Sequence, residues 1–362
     1  MSKNQFIMLG VAVFGMLFFV LTGQETVKNS LSDGDNVNKL FPNIEAKLGS
    51  IDSIVLSHQD KTVSLVNKNA TWVVAEKSDF PAKTKEIREL LDSLTAMNLI
   101  EKKTKKVENY PALAIDDAQA YKVELKQGEE VLASALFGKA SSGLQGQFVR
   151  KASNPQVWLG NKKIDLALAG KDWIIDDIVN VSPDQVTQVE RNSSEGKFTL
   201  KDNDGKFTLA EVPEDKQLAD DNLFTGVKSA LSDLKALDVL KADQVSWDSA
   251  VESEYRTADK VYLVTHTKHQ DKDYVKLRVK ANSKARQETD SSKESGESTE
   301  KGEQTLAQEM AQLNALWNNW AFEIASYKAE GMYRDLDDLL VAKVEELPET
   351  PDVEEESDSA SR

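Results

Sequence analysis

The strongest constraint on the fold is an internal repeat, in which two stretches of the chain carry the same spacing of apolar residues. The two sets match without a gap at one constant offset, which aligns Ile51 with Val186 and Val74 with Leu209. In both sets the apolar residues alternate with polar ones, which is the pattern of half-buried β-strands. Turn-forming residues, Asn67–Asn69 and Asp202–Gly205, separate the second strand from the third. The sequence therefore predicts a three-stranded meander in two copies. The matched positions are Ile51, Ile54, Val63, Leu65, Trp72 and Val74 in the first copy, and Val186, Val189, Phe198, Leu200, Phe207 and Leu209 in the second.

A helical period follows each meander, at a slightly larger offset between the copies that aligns Ile87 with Val227. Amphipathic helices of this kind can cover one side of a sheet. We therefore expect an α+β fold: a tandem repeat of a three-stranded meander, an amphipathic helix and further antiparallel strands, preceded by one transmembrane helix. The helical positions are Ile87, Leu90, Leu91, Leu94 and Met97 in the first copy, and Val227, Ala230, Leu231, Leu234 and Leu237 in the second. Further strands are expected at Tyr121–Leu125, Val131–Gly138, Gln147–Lys151, Gln156–Leu159, Lys260–Thr265 and Tyr274–Val279.

The N-terminal stretch Phe6–Gly23 contains no charged residue. As a helix it would span roughly 27 Å, which is close to the thickness of a bilayer core. Lys3 precedes it and acidic residues follow, which places the N-terminus in the cytoplasm and the body in the periplasm. A cleaved signal peptide is the alternative, although Leu21–Gln24 lacks the small residues of a cleavage site. The predicted membrane-anchor residues are Phe6, Ile7, Met8, Leu9, Val11, Val13, Phe14, Met16, Leu17, Phe18, Phe19, Val20 and Leu21.

Changes in composition give the expected domain boundaries. Runs of Asn, Ser, Asp, Glu and Lys without apolar periodicity cannot offset the entropy lost on ordering. The expected segments are a cytoplasmic N-terminus and anchor at 1–23, a polar tether at 24–39, a first repeat at 40–182, a second repeat at 183–344 with a disordered insert at 282–304, and an acidic disordered tail at 345–362.

The tryptophans and the chain after the insert complete the expected cores. Leu306, Met310, Leu313, Trp317 and Trp320 lie on one helical stripe, and the alternation of Phe322 and Ile324 then indicates a strand. Most tryptophans occupy apolar periodic positions and are expected in the cores. Trp247 lies in a polar stretch, where it would serve as an interface anchor or as a lid over the second helix. The five tryptophans expected in the cores are Trp72, Trp158, Trp173, Trp317 and Trp320.

Several short motifs resemble the bacterial family known as DUF4340. They are Leu40-Phe41-Pro42, Trp72-Val73-Val74 before Pro81-Ala82, the helix Ile87–Leu94, Phe137-Gly138-Lys139, Phe148-Val149-Arg150, Val157-Trp158-Leu159 and Trp173-Ile174-Ile175-Asp176-Asp177, with a similar pattern at Trp320–Leu340. The resemblance implies a membrane-anchored envelope protein, often found beside gliding-motility-type ABC transporter components. No catalytic activity is attached to the family, so the resemblance implies no catalytic residue.

The composition argues against several classes of function. The formal net charge of −16 argues against nucleic acid as a partner, because phosphates would be repelled. The chain has no cysteine, which excludes disulfides, thiolate metal sites and cysteine nucleophiles.

The sequence contains no complete motif for a catalytic, metal-binding or phosphate-binding site. The histidines His58, His266 and His269 lack an HExxH context, and the last two are expected at a solvated hairpin tip. Gly138-Lys139 and Gly170-Lys171 end no phosphate loop, because no Ser or Thr follows either lysine. Asp202 and Asp204 suit a turn better than a calcium loop, and the neighbours Asp176 and Asp177 should point to opposite faces. We therefore expect no catalytic residue, no metal and no cofactor.

Three functions remain open from the sequence. The first is a single-pass membrane-anchored periplasmic interaction protein, held in the inner membrane and accessory to an ABC-type transport or envelope assembly. It would bind its partner through sheet edges or the groove between the repeats. The second is a periplasmic binding module for a small or polymeric ligand in the cleft between the repeats. The third is an envelope-polymer hydrolase, which requires histidines or paired carboxylates clustered in one cleft.

Overall fold

The computed structural model describes residues 38–142, 146–194, 196–203, 206–219, 221–282 and 297–343. The predicted anchor at 6–23 and the acidic tail at 345–362 lie outside these ranges. Among the described helices, none combines the length and the apolar character needed to cross a bilayer.

Antiparallel strands and a few helices make up the described chain, which confirms the α+β class. The helices are α1 (Thr84–Thr95), α2 (Asp221–Lys228), α3 (Glu297–Trp317) and α4 (Ser326–Tyr333). The strands are β1 (Ser53–His58), β2 (Lys61–Lys68), β3 (Thr71–Val74), β4 (Phe80–Pro81), β5 (Leu99–Lys102), β6 (Tyr121–Gln127), β7 (Glu130–Ala140), β8 (Gln147–Lys151), β9 (Val157–Gly160), β10 (Asp177–Val179), β11 (Gln188–Ser193), β12 (Gly196–Asn203), β13 (Lys206–Leu209), β14 (Lys216–Leu218), β15 (Leu234–Lys235), β16 (Asp238–Lys241), β17 (Val251–Arg256), β18 (Lys260–His269), β19 (Lys272–Ala281), β20 (Trp320–Ile324) and β21 (Leu340–Ala342).

The chain divides into two compact units. The first unit contains the chain up to Asp176 together with Ala236–Lys241. The second unit contains Asp177–Lys235 and the chain from Ala242 onward.

The first unit is built on a nine-stranded sheet in the order β4-β3-β2-β1-β6-β7-β8-β9-β5. On β1, Ile54 lies between Leu65 of β2 and Leu125 of β6, and all three side chains are fully buried. Helix α1 adds Ile87, Leu90 and Leu94 to the buried residues, as its apolar period predicts. The strands expected after this helix are confirmed as β6, β7, β8 and β9.

The second unit has the strand order β13-β12-β11-β17-β18-β19-β20. On β11, Val189 lies between Leu200 of β12 and Tyr255 of β17, and these side chains are also fully buried. Two small antiparallel pairs, β10 with β15 and β14 with β21, complete the unit. In each unit, therefore, a meander is followed by strands that add to its first strand: β1 lies between β2 and β6, and β11 lies between β12 and β17.

The second predicted helix is shorter than its apolar period indicated. Helix α2 ends at Lys228, Leu234 lies in β15, and Leu237 is 49% exposed. Asp233 has a positive φ of 46°, which ends the helical turn and directs the chain into the pairing of β15 with β10. The expectation of a helix through Leu237 was therefore wrong.

Most of the insert predicted at 282–304 lies outside the described residues, which stop at Asn282 and resume at Glu297. Asn282 is buried and its side-chain amide donates to the carbonyl of Thr257 over 2.7 Å. At the other end of the segment, α3 already begins at Glu297. Trp320, which was assigned to the same helical stripe, instead begins β20.

Of the tether predicted at 24–39, the structure describes the last two residues, Asn38 and Lys39. Lys39 forms a β-bridge with Asn98, and the carbonyl of Asn38 accepts a hydrogen bond from the amide of Leu99 over 2.6 Å. Residues 38 and 39 thus belong to the first unit.

A close helix contact in the second unit gives a test of the fold. A Cβ added to Gly331 of α4 would lie 2.4 Å from the carbonyl oxygen of Gly226 in α2, whereas a Cβ on Gly226 would meet nothing within 4 Å. We expect Gly331→Ala to destabilise the protein by about 1–3 kcal/mol through overpacking. Gly226→Ala should stabilise it by up to about 1 kcal/mol, because alanine favours the helix. Urea unfolding of the two variants measures both values, and shifts of the same sign would contradict the observed contact.

Candidate functional site

The second unit has a polar sheet face, which is the best candidate for a functional surface. Side chains alternate between the two faces of a strand. Register pairs Glu190 of β11 with Glu254 of β17, Glu254 with Leu263 of β18, and Leu263 with Arg278 of β19. We call the face that carries this row the groove face. The opposite face, which carries Val189 and Tyr255, is the core face.

Helix α3 and the groove face enclose an open groove with a volume of about 1120 Å³. Its lining includes Glu190, Glu254, Thr265, Lys276, Arg278 and Asn318. Helix α3 is attached to β19 through Asn314, whose amide oxygen accepts from the backbone amide of Val279 and whose amide nitrogen donates to the carbonyl of Val279, each over 2.9 Å. The side chain of Asn314 thus pairs with β19 as a neighbouring strand would.

One side of the groove is acidic. Glu190 lies 3.2 Å from the guanidinium of Arg256 and 3.5 Å from the ammonium of Lys197. Glu254 contacts Arg256 over 2.5 Å and Lys280 over 3.3 Å. Burial raises the pKa of Glu190, but the charges of Arg256 and Lys197 outweigh this effect and leave the pKa below its ordinary value. Glu190 is therefore ionised at neutral pH.

The other side of the groove is basic. The ammonium of Lys276 lies 4.4 Å from the ring centre of Trp247, which is a cation–π geometry. The indole nitrogen of Trp247 donates to the carbonyl of Ala242 over 2.8 Å and fixes the ring. Arg278 lies next along β19 on the same face and is exposed. Trp247 thus orients a lysine of the groove, and its role as an interface anchor or as a lid over the second helix stays a prediction.

The same face of the first unit is closed by apolar residues. Leu136 and Phe148 lie on that face, and the Tyr110–Ala120 segment packs on them. The cluster consists of Tyr110, Ile115, Ala120, Leu136, Phe148, Val157 and Leu159, with Leu113 packed against it. Where the first unit has Leu136 beside Lys122, the second has Thr265 beside Glu252. The large polar groove is therefore a feature of the second unit.

A buried polar cluster lies on the core face behind the groove. Arg191 is 1% exposed, and its guanidinium donates to the carbonyl of Gly331 over 2.6 Å and to that of Arg334 over 2.7 Å. It also donates to the hydroxyl of Ser253 over 3.1 Å. Burial lowers the pKa of Arg191, and the neighbouring Tyr255 opposes this shift. Since Gly331 and Arg334 are at the C-terminal end of α4, the buried cation complements the helix dipole there.

The opposite end of α4 contacts a buried carboxylate. Asp273 accepts from the hydroxyl of Ser326, the first residue of α4, over 2.8 Å and from Nε2 of His266 over 2.9 Å. Burial lowers the pKa of His266, although Asp273 acts in the opposite direction. His266 was expected at a hairpin tip, and this was wrong: β18 extends to His269, so His266 lies inside the strand and is 4% exposed.

Among the described residues, Ser326, Asp273 and His266 are not arranged as a nucleophilic triad. In a nucleophilic triad the histidine lies between the nucleophile and the acid. Here Asp273 lies between Ser326 and His266, so Ser326 has no base. The paired carboxylates Glu190 and Glu254 share Arg256, and the pKa of Glu190 lies below its ordinary value.

In the part of the chain that the structure describes, the other candidate residues contact their local neighbours. His58 is half-buried, stacks on Tyr121 at 4.1 Å and lies 3.2 Å from the carbonyl of Ala120. His269 contacts the edge of Tyr274. Asp176 pairs with Lys83 over 3.0 Å and Asp177 pairs with Lys235 over 2.7 Å. No group of three or more potential metal-ligating side chains occurs in the described ranges.

Four of the five tryptophans expected in the cores are buried, and Trp158 is not. Trp72, Trp173, Trp317 and Trp320 are buried as expected. Trp158 was also expected in the core, but it is partly exposed and has the ammonium of Lys102 5.3 Å from its ring centre.

Sequence reasoning missed the groove, although part of its signal was present. In the predicted strand Tyr274–Val279, the positions of Lys276 and Arg278 alternate with buried residues. The strand Val251–Arg256 alternates as well, but its buried positions include Ser253, so it lacks a run of strongly apolar residues. Listing the polar positions would have placed Glu252 and Glu254 on one strand and Lys276 and Arg278 on the other.

The buried arginine provides a test of how α4 is held. We expect Arg191→Leu to lower the free energy of unfolding by about 2–4 kcal/mol, because two buried carbonyls lose their donor. Amide hydrogen exchange in α4 should become faster. Arg278→Leu, at an exposed arginine of the same sheet, is the matched control and should change stability by less than about 0.5 kcal/mol. Unchanged exchange in α4 of Arg191→Leu would show that Arg191 does not hold the helix.

A comparison with known families agrees with the resemblance of the motifs. A family model described as a domain of unknown function (DUF4340) matches residues 72–261, which run from β3 to the beginning of β18. The motif at Leu40–Pro42 and the pattern at Trp320–Leu340 lie outside the matched residues. No curated protein and no solved structure matches the chain. Because the match covers more than half of the 362 residues, the chain belongs to the DUF4340 family.

Proposed function

We propose that this chain is a single-pass membrane-anchored interaction protein of the periplasm, which binds a partner polypeptide in the groove of its second unit and has no catalytic activity. The observation that carries the proposal is the open polar groove of about 1120 Å³. Small-molecule pockets are usually enclosed and apolar, with volumes of about 300–1,000 Å³. A larger and open polar groove is better suited to a segment of a polymer.

The buried cluster behind the groove supports binding over catalysis. Its polar groups are engaged with one another or with α4, and they face away from the groove. Within the described residues, neither the His266 cluster nor the Glu190 and Glu254 pair forms a catalytic set. The cluster instead fixes α4 against the sheet whose other face forms the floor of the groove.

Gene duplication followed by divergence is part of the proposal. The constant offset between the two meanders and the matching strand orders both support a tandem repeat. At positions of the same register, the first unit has Leu56 and Phe137 where the second has Arg191 and His266. On this interpretation the second copy acquired its polar groups after the duplication, and the binding role with them.

The location in the inner membrane comes from the uncharged Phe6–Gly23 segment and from the resemblance stated above. An ABC-type transporter component is the proposed class of partner, on the resemblance alone. A binding module for a polymeric ligand is the second candidate, and the same groove would serve it. The acidic net charge favours neither candidate.

Partner capture with a blocked groove tests the proposal. Thr265 lies on the groove floor, so Thr265→Trp should fill the space and reduce recovery of a partner from gently solubilised membranes by at least about tenfold. The matched control is Thr62→Trp, at an exposed strand position of the first unit, and it should recover the partner normally. Equal capture by both variants, or recovery of the parent protein only as a free monomer, would contradict the proposed function.

A further inference from the structure

In two rows of the groove face, the charges on β17 and on β19 have opposite signs. Across one row, Glu252 of β17 faces Thr265 of β18, which faces Lys276 of β19. In the next row, Glu254 faces Leu263, which faces Arg278. In these two rows the carboxylates lie on β17, which forms one wall of the groove, and the cations lie on β19, which forms the other, with the neutral residues of β18 between them. The strands β17 and β19 are separated by β18. Because neighbouring strands lie about 4.8 Å apart, the two walls are about 10 Å apart.

Part of this charge is not compensated within the protein. Glu190 and Glu254 both pair with Arg256. Glu190 also pairs with Lys197, and Glu254 also pairs with Lys280. In the ranges that the structure describes, Glu252 and Arg278 have no ion-pair partner, and both side chains are exposed. They lie on opposite walls. Each wall thus presents one charge that is free to bind a ligand.

We propose that the groove binds an extended polypeptide segment of the partner, and that this segment contains a basic and an acidic residue two positions apart. The inference rests on the proposed function. In an extended segment, residues two positions apart point to the same side and are about 7 Å apart at their Cα atoms. Their side chains can spread to reach walls about 10 Å apart. The basic residue binds at Glu252 and the acidic residue binds at Arg278 and Lys276.

The neutral floor suits the same ligand. Leu263 offers an apolar contact and Thr265 offers a hydroxyl between the walls. Asn192 and Asn318 line the groove as well, and both are exposed. Their amides can donate to and accept from a peptide backbone. A nucleic acid would be repelled by the acidic wall, and a peptide with charges of one sign only would be repelled by one of the two walls.

Peptide binding to the full-length protein in detergent tests the proposal. The probes are capped, fluorescently labelled peptides of alanine and serine that carry lysine and glutamate two positions apart. Control peptides carry two lysines, two glutamates, or lysine and glutamate at adjacent positions. By fluorescence anisotropy we expect the first peptide to bind at least about tenfold more tightly than each control, with affinity falling as salt rises. Equal affinities for all four peptides would overturn the proposal.

Charge reversal gives a sharper result, because the preference should change in a predictable direction. Arg278→Glu should weaken binding of the lysine–glutamate peptide about tenfold and turn the preference toward the two-lysine peptide. Glu252→Lys should turn it toward the two-glutamate peptide. The double variant Glu252→Lys with Arg278→Glu exchanges the walls and should bind the original peptide again in the reverse direction. Lys61→Glu, at an exposed position of the first unit, is the charge-matched control and should change nothing.

The outcomes separate this inference from the proposed function. If Thr265→Trp abolishes partner capture but no peptide preference follows the wall charges, the groove binds a partner of different chemistry and the inference fails alone. If a lysine–glutamate peptide with free ends binds while its capped form does not, the ligand is a free peptide, and the inference of a partner segment fails. If partner capture survives Thr265→Trp, the proposed function itself fails.

Discussion

The alternation of side chains along paired strands is the constraint on which the second unit depends. Because successive residues face opposite sides, Glu254 lies in the groove while its neighbour Tyr255 is fully buried. The same register places Glu252 and Glu254 of β17 across β18 from Lys276 and Arg278 of β19. A slip of one residue in the pairing of β17 with β18 would exchange the two faces and bury the charges. Groove and core are therefore determined together.

The core face carries a second polar system, and it holds α4 by electrostatics as well as by packing. A buried carboxylate lies at the first residue of the helix and a buried guanidinium binds the carbonyls at its end. Both charges complement the helix dipole. Burial of these groups is costly, and hydrogen bonds to Ser253, Gly331 and Arg334 offset it for Arg191. In the first unit, Leu56 occupies the equivalent register and is fully buried.

The sequence was sufficient to predict elements whose signal is local. The meanders, α1 and the strands β6 to β9 follow from the spacing of apolar residues, and the family follows from short packing motifs. Helix α2 was predicted too long, because the turn at Asp233 and the pairing of Leu234 with β10 override the helical period. His266 was misplaced because β18 continues past Thr265 before its turn at Gln270 and Asp271, where φ is positive. The groove requires the register of strands that are distant in the sequence, together with the docking of Asn314 on β19. No single segment encodes it.

The central claim is that the groove of the second unit faces the periplasm and is covered by a partner in the cell. The chain has no cysteine, so a single one can be introduced at Thr265 on the groove floor or at the exposed Thr62. Cells with a permeabilised outer membrane are then treated with a maleimide that does not cross the inner membrane. The account predicts that Thr62→Cys reacts at the same rate in cells and after purification, whereas Thr265→Cys reacts slowly in cells and rapidly once the protein is purified from its partner. Equal rates for Thr265→Cys in both settings, or no reaction of either cysteine until the inner membrane is opened, would contradict it.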